Sequence, residues 1–157
     1  MIEARGTLGG PNKIWICNPK SAKVMGPLGA YFRTGYSLSE REREIAVCII
    51  NSKWHSIYPT APHERAGKAA ELPAEKVEAI LSGLPVSFSD TREQVVYEMA
   101  ICLANSRWVP KGLYDRAIDA LGHAGVTDVI CLVGFYTSVS MTLAFYDVPA
   151  GATGMAR

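Results

Sequence analysis

The sequence is poor in the features that announce a ready-made function. Its four cysteines, Cys17, Cys48, Cys102 and Cys131, are spread along the chain, so none forms a CxxC redox pair or a zinc knuckle. Cys48, Cys102 and Cys131 sit inside apolar runs and read as buried free thiols of a cytoplasmic protein. Neither sign of charge dominates, with 16 Lys+Arg against 15 Asp+Glu. That excludes the basic footprint of a nucleic-acid binder and the polybasic run of a membrane-surface protein. There are only three histidines, and no GxGxxG, P-loop, GxSxG or HExxH motif, so nucleotide-binding, serine-hydrolase and zinc-protease chemistry have no anchor. No metal site is expected. The opening stretch, MIEARGTLGGPNK, has no apolar core of the kind a secretory signal needs.

What the chain does have is apolar residues, 48% of the total over 157 residues. That is enough for one domain, 1–157, with a substantial core. Residues 1–20, with KIWIC among Gly and Pro, read as an extended N-terminal arm, and 150–157 as a tail. Ser39 and Glu42 form a capping-box pattern that starts a helix at about Glu40, running through the apolar stretch Ile45–Ile50 to Trp54. Asp90 and Glu93 start a second such helix, whose apolar positions 95, 96, 99, 100, 103 and 104 have helical spacing. Further helices are predicted over 20–34, with a kink near Gly26-Pro27, from Pro59 through HERAGKAA, over AEKVEAIL and over KGLYDRAIDAL. After a break at Gly122–Gly125, a last long helix is capped by Thr127. Its segment from Val129 to Tyr146 holds no charge. Four Ser and Thr residues and the absence of basic flanks make it a buried helix rather than a membrane span. A chain this small covers such a helix most readily by forming an oligomer. The expected fold class is all-α, with six to eight helices.

The tetrapeptide NSKW at 51–54 returns as NSRW at 105–108. Each follows a capped helix and precedes a four-residue core, HERA at 63–66 and YDRA at 114–117. These pairs predict an internally duplicated helical hairpin.

Candidate chemistry concentrates in the first copy. His55 and His63 flank SIYPTAP between two helices. The positive end of a helix dipole favours a neutral imidazole, able to accept a proton. Glu44 is the last charge before Ile45–Ile50, a carboxylate partly withdrawn from water and suited to proton transfer. Its competing role is an ion pair with Arg41, Arg43 or Arg65. Arg65 and Arg116 recur in both copies and read as structural ion-pair partners. His123, in GHAG, reads as an exposed helix-end residue.

LSEREREIAVCIINSKW, then HERAGKAAELPAEKVEAI, then VGFYTSVSMTLAF resembles the carboxymuconolactone decarboxylase family, within the alkylhydroperoxidase D-like superfamily, over about residues 20–149. The resemblance implies an all-α alkylhydroperoxidase D-like fold and a ring-like homo-oligomer, a trimer or hexamer. The redox relatives carry E-x11-C-x2-C-x3-H. That frame falls here on Glu44, Ser56, Pro59 and His63, so both cysteines are missing and thiol peroxidase chemistry is disfavoured. The decarboxylase branch implies a cofactor-free lyase acting on a small unsaturated carboxylated lactone or keto acid in aromatic-compound catabolism. His63 and Glu44 would then be catalytic, with Trp54, His55, Tyr58 and Tyr136 lining the substrate site. The chain departs from that branch at Pro59, where a Glu is the pattern, and at VGFYTSVSM, where the pattern contains a His. The alternatives are an alkylhydroperoxidase-type oxidoreductase and a non-catalytic oligomeric binding protein.

Overall fold

The computed structural model describes residues 11–54, 66–67, 69–105 and 107–147. Six helices follow one another among them: α1 (Pro11–Trp15), α2 (Pro19–Thr34), α3 (Glu40–Lys53), α4 (Ala74–Leu81), α5 (Thr91–Ala104) and α6 (Lys111–Phe145). No strand occurs among the described residues. The expected extended arm is therefore helical where it is described. Pro11 opens α1 at a position where a missing N–H costs nothing, and Ile14 is buried. Trp15 packs on Phe135 of α6, with ring centroids 6.1 Å apart. Pro27 lies inside α2, which runs on from Pro19 to Thr34. The tail at 150–157 and the helix predicted from Pro59 fall on residues outside those described, apart from a helical turn at Ala66–Gly67.

The core forms where α3, α5 and α6 pack on one another, with α4 against α3, and α1 and α2 against α6. Ile45, Ile50, Val95, Val96, Val129 and Leu132 are wholly buried. Each such side chain contributes about 1.5–3 kcal/mol relative to exposure. Phe32 of α2 reaches the same core and stacks obliquely on Phe135, centroids 5.7 Å apart.

The duplication is written into the caps and the backbone. α3 and α5 are each 14 residues long. Ser39 accepts from the Glu42 amide, and Glu42 returns the bond to the Ser39 amide. Asp90 accepts from the amides of Arg92 and Glu93. Ser39 and Asp90 are 51 residues apart in sequence, as are HERA and YDRA. So are Glu71 (φ 61°) and Gly122 (φ 65°), where the chain turns left-handed in each half.

The tetrapeptides that first suggested the repeat are out of this register, since they are 54 residues apart. Asn51 is a buried helical residue of α3 and Trp54 its C-cap. Asn105 is already the C-cap of α5, and Trp108 stands 92% exposed beyond it. The halves match in length, and the tetrapeptide is shifted by nearly one helical turn between them.

The two halves are tied by crossed arginines. Arg41 pairs with Glu93 and donates to the Glu71 carbonyl. Arg92 donates through Nε to Glu42 (2.7 Å), through Nη2 to its other oxygen (3.2 Å) and through Nη1 to the Ala120 carbonyl (2.8 Å). Each arginine thus joins the other half's first helical turn and satisfies a carbonyl at the end of its own half's following helix, where intrahelical donors run out. Arg41 pairs with Glu93 rather than with Glu44, because the Glu93 carboxylate is buried and needs its charge.

The break expected over Gly122–Gly125 narrows to Gly122 alone, with φ 65° and ψ 174° inside α6. The helix resumes at once, so Thr127 is no cap; its hydroxyl donates to the His123 carbonyl one turn back. Nor is the last helix buried all round. Leu132, Val133, Val139 and Leu143 face the core, while Ile130, Met141 and Phe145 are exposed by 49%, 52% and 77%. By length and composition α6 is apolar enough to cross a bilayer. The same open face exposes Cys131, against the expectation of a buried thiol, whereas Cys48 is buried and Cys102 partly so.

Candidate functional site

Glu44 lies one turn into α3 with no solvent exposure. The preceding residue supplies its counter-charge. Arg43 Nε donates to Glu44 Oε1 at 2.8 Å, and Nη2 lies 2.8 Å from the same oxygen. Of the partners open to Glu44 from the sequence, Arg43 is the one in place among the described residues. Arg41 is engaged with Glu93, and Arg65 lies outside them. A buried carboxylate without such a partner would be strongly disfavoured.

Arg43 is itself held from the α2–α3 turn. Its Nη1 donates to the Tyr36 hydroxyl at 3.2 Å, and the guanidinium lies over the Tyr36 ring at 5.8 Å, a cation–π contact. The Arg43 guanidinium is partly withdrawn from water, yet the Glu44 charge and hydrogen bond raise its pKa above the ordinary value. Tyr136, from the middle of α6, completes the group. Burial, and then the Glu44 charge, push its phenol up to about 12. It keeps its proton at neutral pH. The cluster therefore presents a fixed cation, a buried carboxylate and two protonated phenols.

The structure places Glu44 and Tyr136 in one electrostatic neighbourhood. Trp54 is ten residues beyond Glu44 on the same helix, about 15 Å along its axis, and is 37% exposed. His63, His55, Tyr58 and Pro59 lie outside the described residues. Gly67 sits close against the site: a Cβ there would come within 3.4 Å of Val77 and 3.9 Å of the Glu44 Cβ. Tyr36 went unnoticed in the sequence. It lies before the α3 cap in an unremarkable turn, and only folding brings it over Arg43.

Beside this cluster an open depression of about 570 Å³ is lined by Tyr31, Tyr36, Ser37, His123, Thr127 and Asp128. Asp128 fixes its floor. It accepts from Tyr31 Oη at 2.7 Å, the Ser37 amide at 2.8 Å and the Ser37 hydroxyl at 2.6 Å. Burial works to raise the Asp128 pKa, but the bonds from Ser37 and Tyr31 together outweigh it, and the carboxyl lies below its ordinary value. The hydrogen bond to Asp128 raises the Tyr31 pKa in turn. These contacts latch the α2–α3 turn, and so Tyr36, onto α6. His123 stands exposed at the rim, as its helix-break position implied. Arg116 pairs with Glu98 on the outer surface, the structural role expected of it. Among the described residues no three His, Cys, Asp or Glu side chains converge as metal ligands.

No family model matches the chain, and no curated protein matches it. One solved structure similar to it is a Cys-to-Ala variant of the debrominase Bmp8 in complex with 2,3,4-tribromopyrrole, with a TM-score of 0.76 and 14% identity over 98% of this chain and 82% of the other. The chain has the all-α, alkylhydroperoxidase D-like helical fold.

Proposed function

We propose that the protein is a cofactor-free lyase resembling γ-carboxymuconolactone decarboxylase, working in the cytoplasm as a trimer or hexamer on a small unsaturated carboxylated lactone or keto acid from aromatic-compound catabolism. The observation that carries this reading is the buried Glu44, neutralised by Arg43 beside a Tyr136 phenol that keeps its proton. Arg43 receives the substrate carboxylate, and Tyr136 donates a hydrogen bond to the ligand. The bond from the ring carbon to the carboxylate breaks, CO2 leaves, and the electron pair delocalises into the unsaturated lactone. His63, with Glu44 as its partner, then delivers a proton to the ring carbon. The likeness to a debrominase supports an enzyme of small cyclic molecules as the general class. The uncharged open face of α6, with Ile130, Met141 and Phe145, supports the oligomer.

The test is loss of γ-carboxymuconolactone on incubation with the purified protein, followed by ultraviolet absorbance and CO2 release. His63→Ala is expected to lower kcat by about 10²–10⁴-fold, the usual contribution of a proton-transfer group, with the oligomer intact by light scattering. Undiminished turnover in that variant would sink the site assignment. Inertness of the native protein would sink the reaction.

A further inference from the structure

Among the described residues, two polar side chains in the core have no hydrogen-bond partner. The Asn51 amide is 1% exposed and the Ser140 hydroxyl 0%, and neither end of the amide nor the hydroxyl makes a hydrogen bond. Stranding such groups costs about 1–3 kcal/mol each, and apolar side chains of similar size would avoid that cost. Their placement relates them to the site. Glu44, Cys48 and Asn51 follow one another at i, i+4 and i+7, on one stripe of α3. Tyr136 and Ser140 share a stripe of α6 at i and i+4. Ser37 bonds to Asp128, and Glu44 acts on Tyr136 eight residues further along α6, so the two helices run the same way. Asn51 and Ser140 therefore lie about 10 and 6 Å beyond the Glu44–Tyr136 level, deeper in the same helix pair.

We propose that Asn51 and Ser140 are the inner end of this site, where their N–H and O–H groups donate to the lactone carbonyl of the bound substrate. The inference rests on the reaction class given above. A ring carboxylate seated at Arg43 puts the lactone carbonyl a few ångströms further in. Loss of CO2 sends the electron pair onto that carbonyl oxygen as an enolate, and the later proton transfer to carbon returns it. Two donors fixed in a dry, apolar surrounding stabilise that oxygen most in the transition state, which is the reason to keep them unpaired in the resting protein.

The experiment measures urea unfolding without ligand, and kcat and KM for γ-carboxymuconolactone, in the native protein and in Asn51→Leu, Ser140→Ala and His63→Ala. Asn51→Leu is expected to keep or raise the urea midpoint, because it removes an unpaired amide, while kcat falls about 10²-fold and KM changes little. Ser140→Ala is expected to follow the same pattern with a smaller fall. A lower midpoint with undiminished kcat in Asn51→Leu would show an amide held for structure, through internal water, and would overturn the proposal. If the native protein is active and His63→Ala is not, while Asn51→Leu turns over normally, this inference alone fails. If the native protein does not consume the lactone, the reaction class fails and the inference with it.

Discussion

Replacing Arg92 by Met removes the bidentate bond to Glu42, a carboxylate whose side chain is only 4% exposed, and the bond to the Ala120 carbonyl. Breaking a fully buried pair costs about 3–5 kcal/mol, because the remaining charge is stranded. The Arg92 side chain is 41% exposed, so water screens its end of the pair, and the cost should fall to about 2 kcal/mol. For a chain of this length that is a drop of roughly 4–8 °C in Tm. Urea unfolding followed by far-ultraviolet circular dichroism would measure it. Glu42→Gln keeps a carbonyl oxygen for the Ser39 amide and removes the charge. The Arg92→Met/Glu42→Gln double variant should then lose less than the sum of the single variants, with a coupling above about 1 kcal/mol. Arg41→Met should show a cost of similar size, since Arg41 and Glu93 repeat the geometry in the other half. Stability within 0.5 kcal/mol of native for Arg92→Met would refute the claim that these pairs hold the halves together. So would a full loss for one arginine and none for its counterpart.

Gly122→Ala should cost about 1–3 kcal/mol in the same assay, all of it backbone strain, because nothing lies within 4 Å of the added Cβ; Glu71→Gly, at the matching left-handed position, should be neutral or stabilising. The Asp128 carboxyl lies below its ordinary value, so its contribution to stability is complete above the unfolded value near pH 4 and is lost as pH falls below it. Asp128→Asn should lower Tm at pH 7 and flatten the acid limb below pH 4, and an acid limb that stays steep in the variant would show that other carboxyls cause it. Ile130→Glu combined with Met141→Glu should break the proposed oligomer into monomers by light scattering, with helix content retained; assembly that survives both charges places the contact elsewhere.

The fold was legible because its signals are local. Ser39 with Glu42 and Asp90 with Glu93 marked two helix starts to the residue, since a cap is settled by side chains within one turn. The run Ile45–Ile50 marked the most buried helix. Local pattern failed where tertiary contacts decide. KIWIC reads as extended, but Ile14 and Trp15 are helical, with Ile14 buried and Trp15 packed on the Phe135 ring of α6. The candidate site was half legible. Glu44 could be picked out by its position beside an apolar run, and Arg43 could be weighed only as one of three arginines. Tyr36 and Ser140 carry no signal in spacing, because their surroundings arise from helices brought together across about ninety residues of chain. NSKW and NSRW pointed correctly to a duplication and wrongly to its register, since resemblance of four letters does not require equivalence of position.

The crossed arginines say something about how such a fold could arise. Arg41 meets the counterpart of Glu42, and the counterpart of Arg41 meets Glu42. Residue i touching j while j touches i is the rule of an isologous interface between two identical chains. A single capped hairpin bearing this Arg and this Glu would therefore carry both halves of the contact and could pair with a second copy of itself. Once the two copies share one chain, each is free to change without its twin, and one can hold a buried acid at Glu44 where the other keeps Val95.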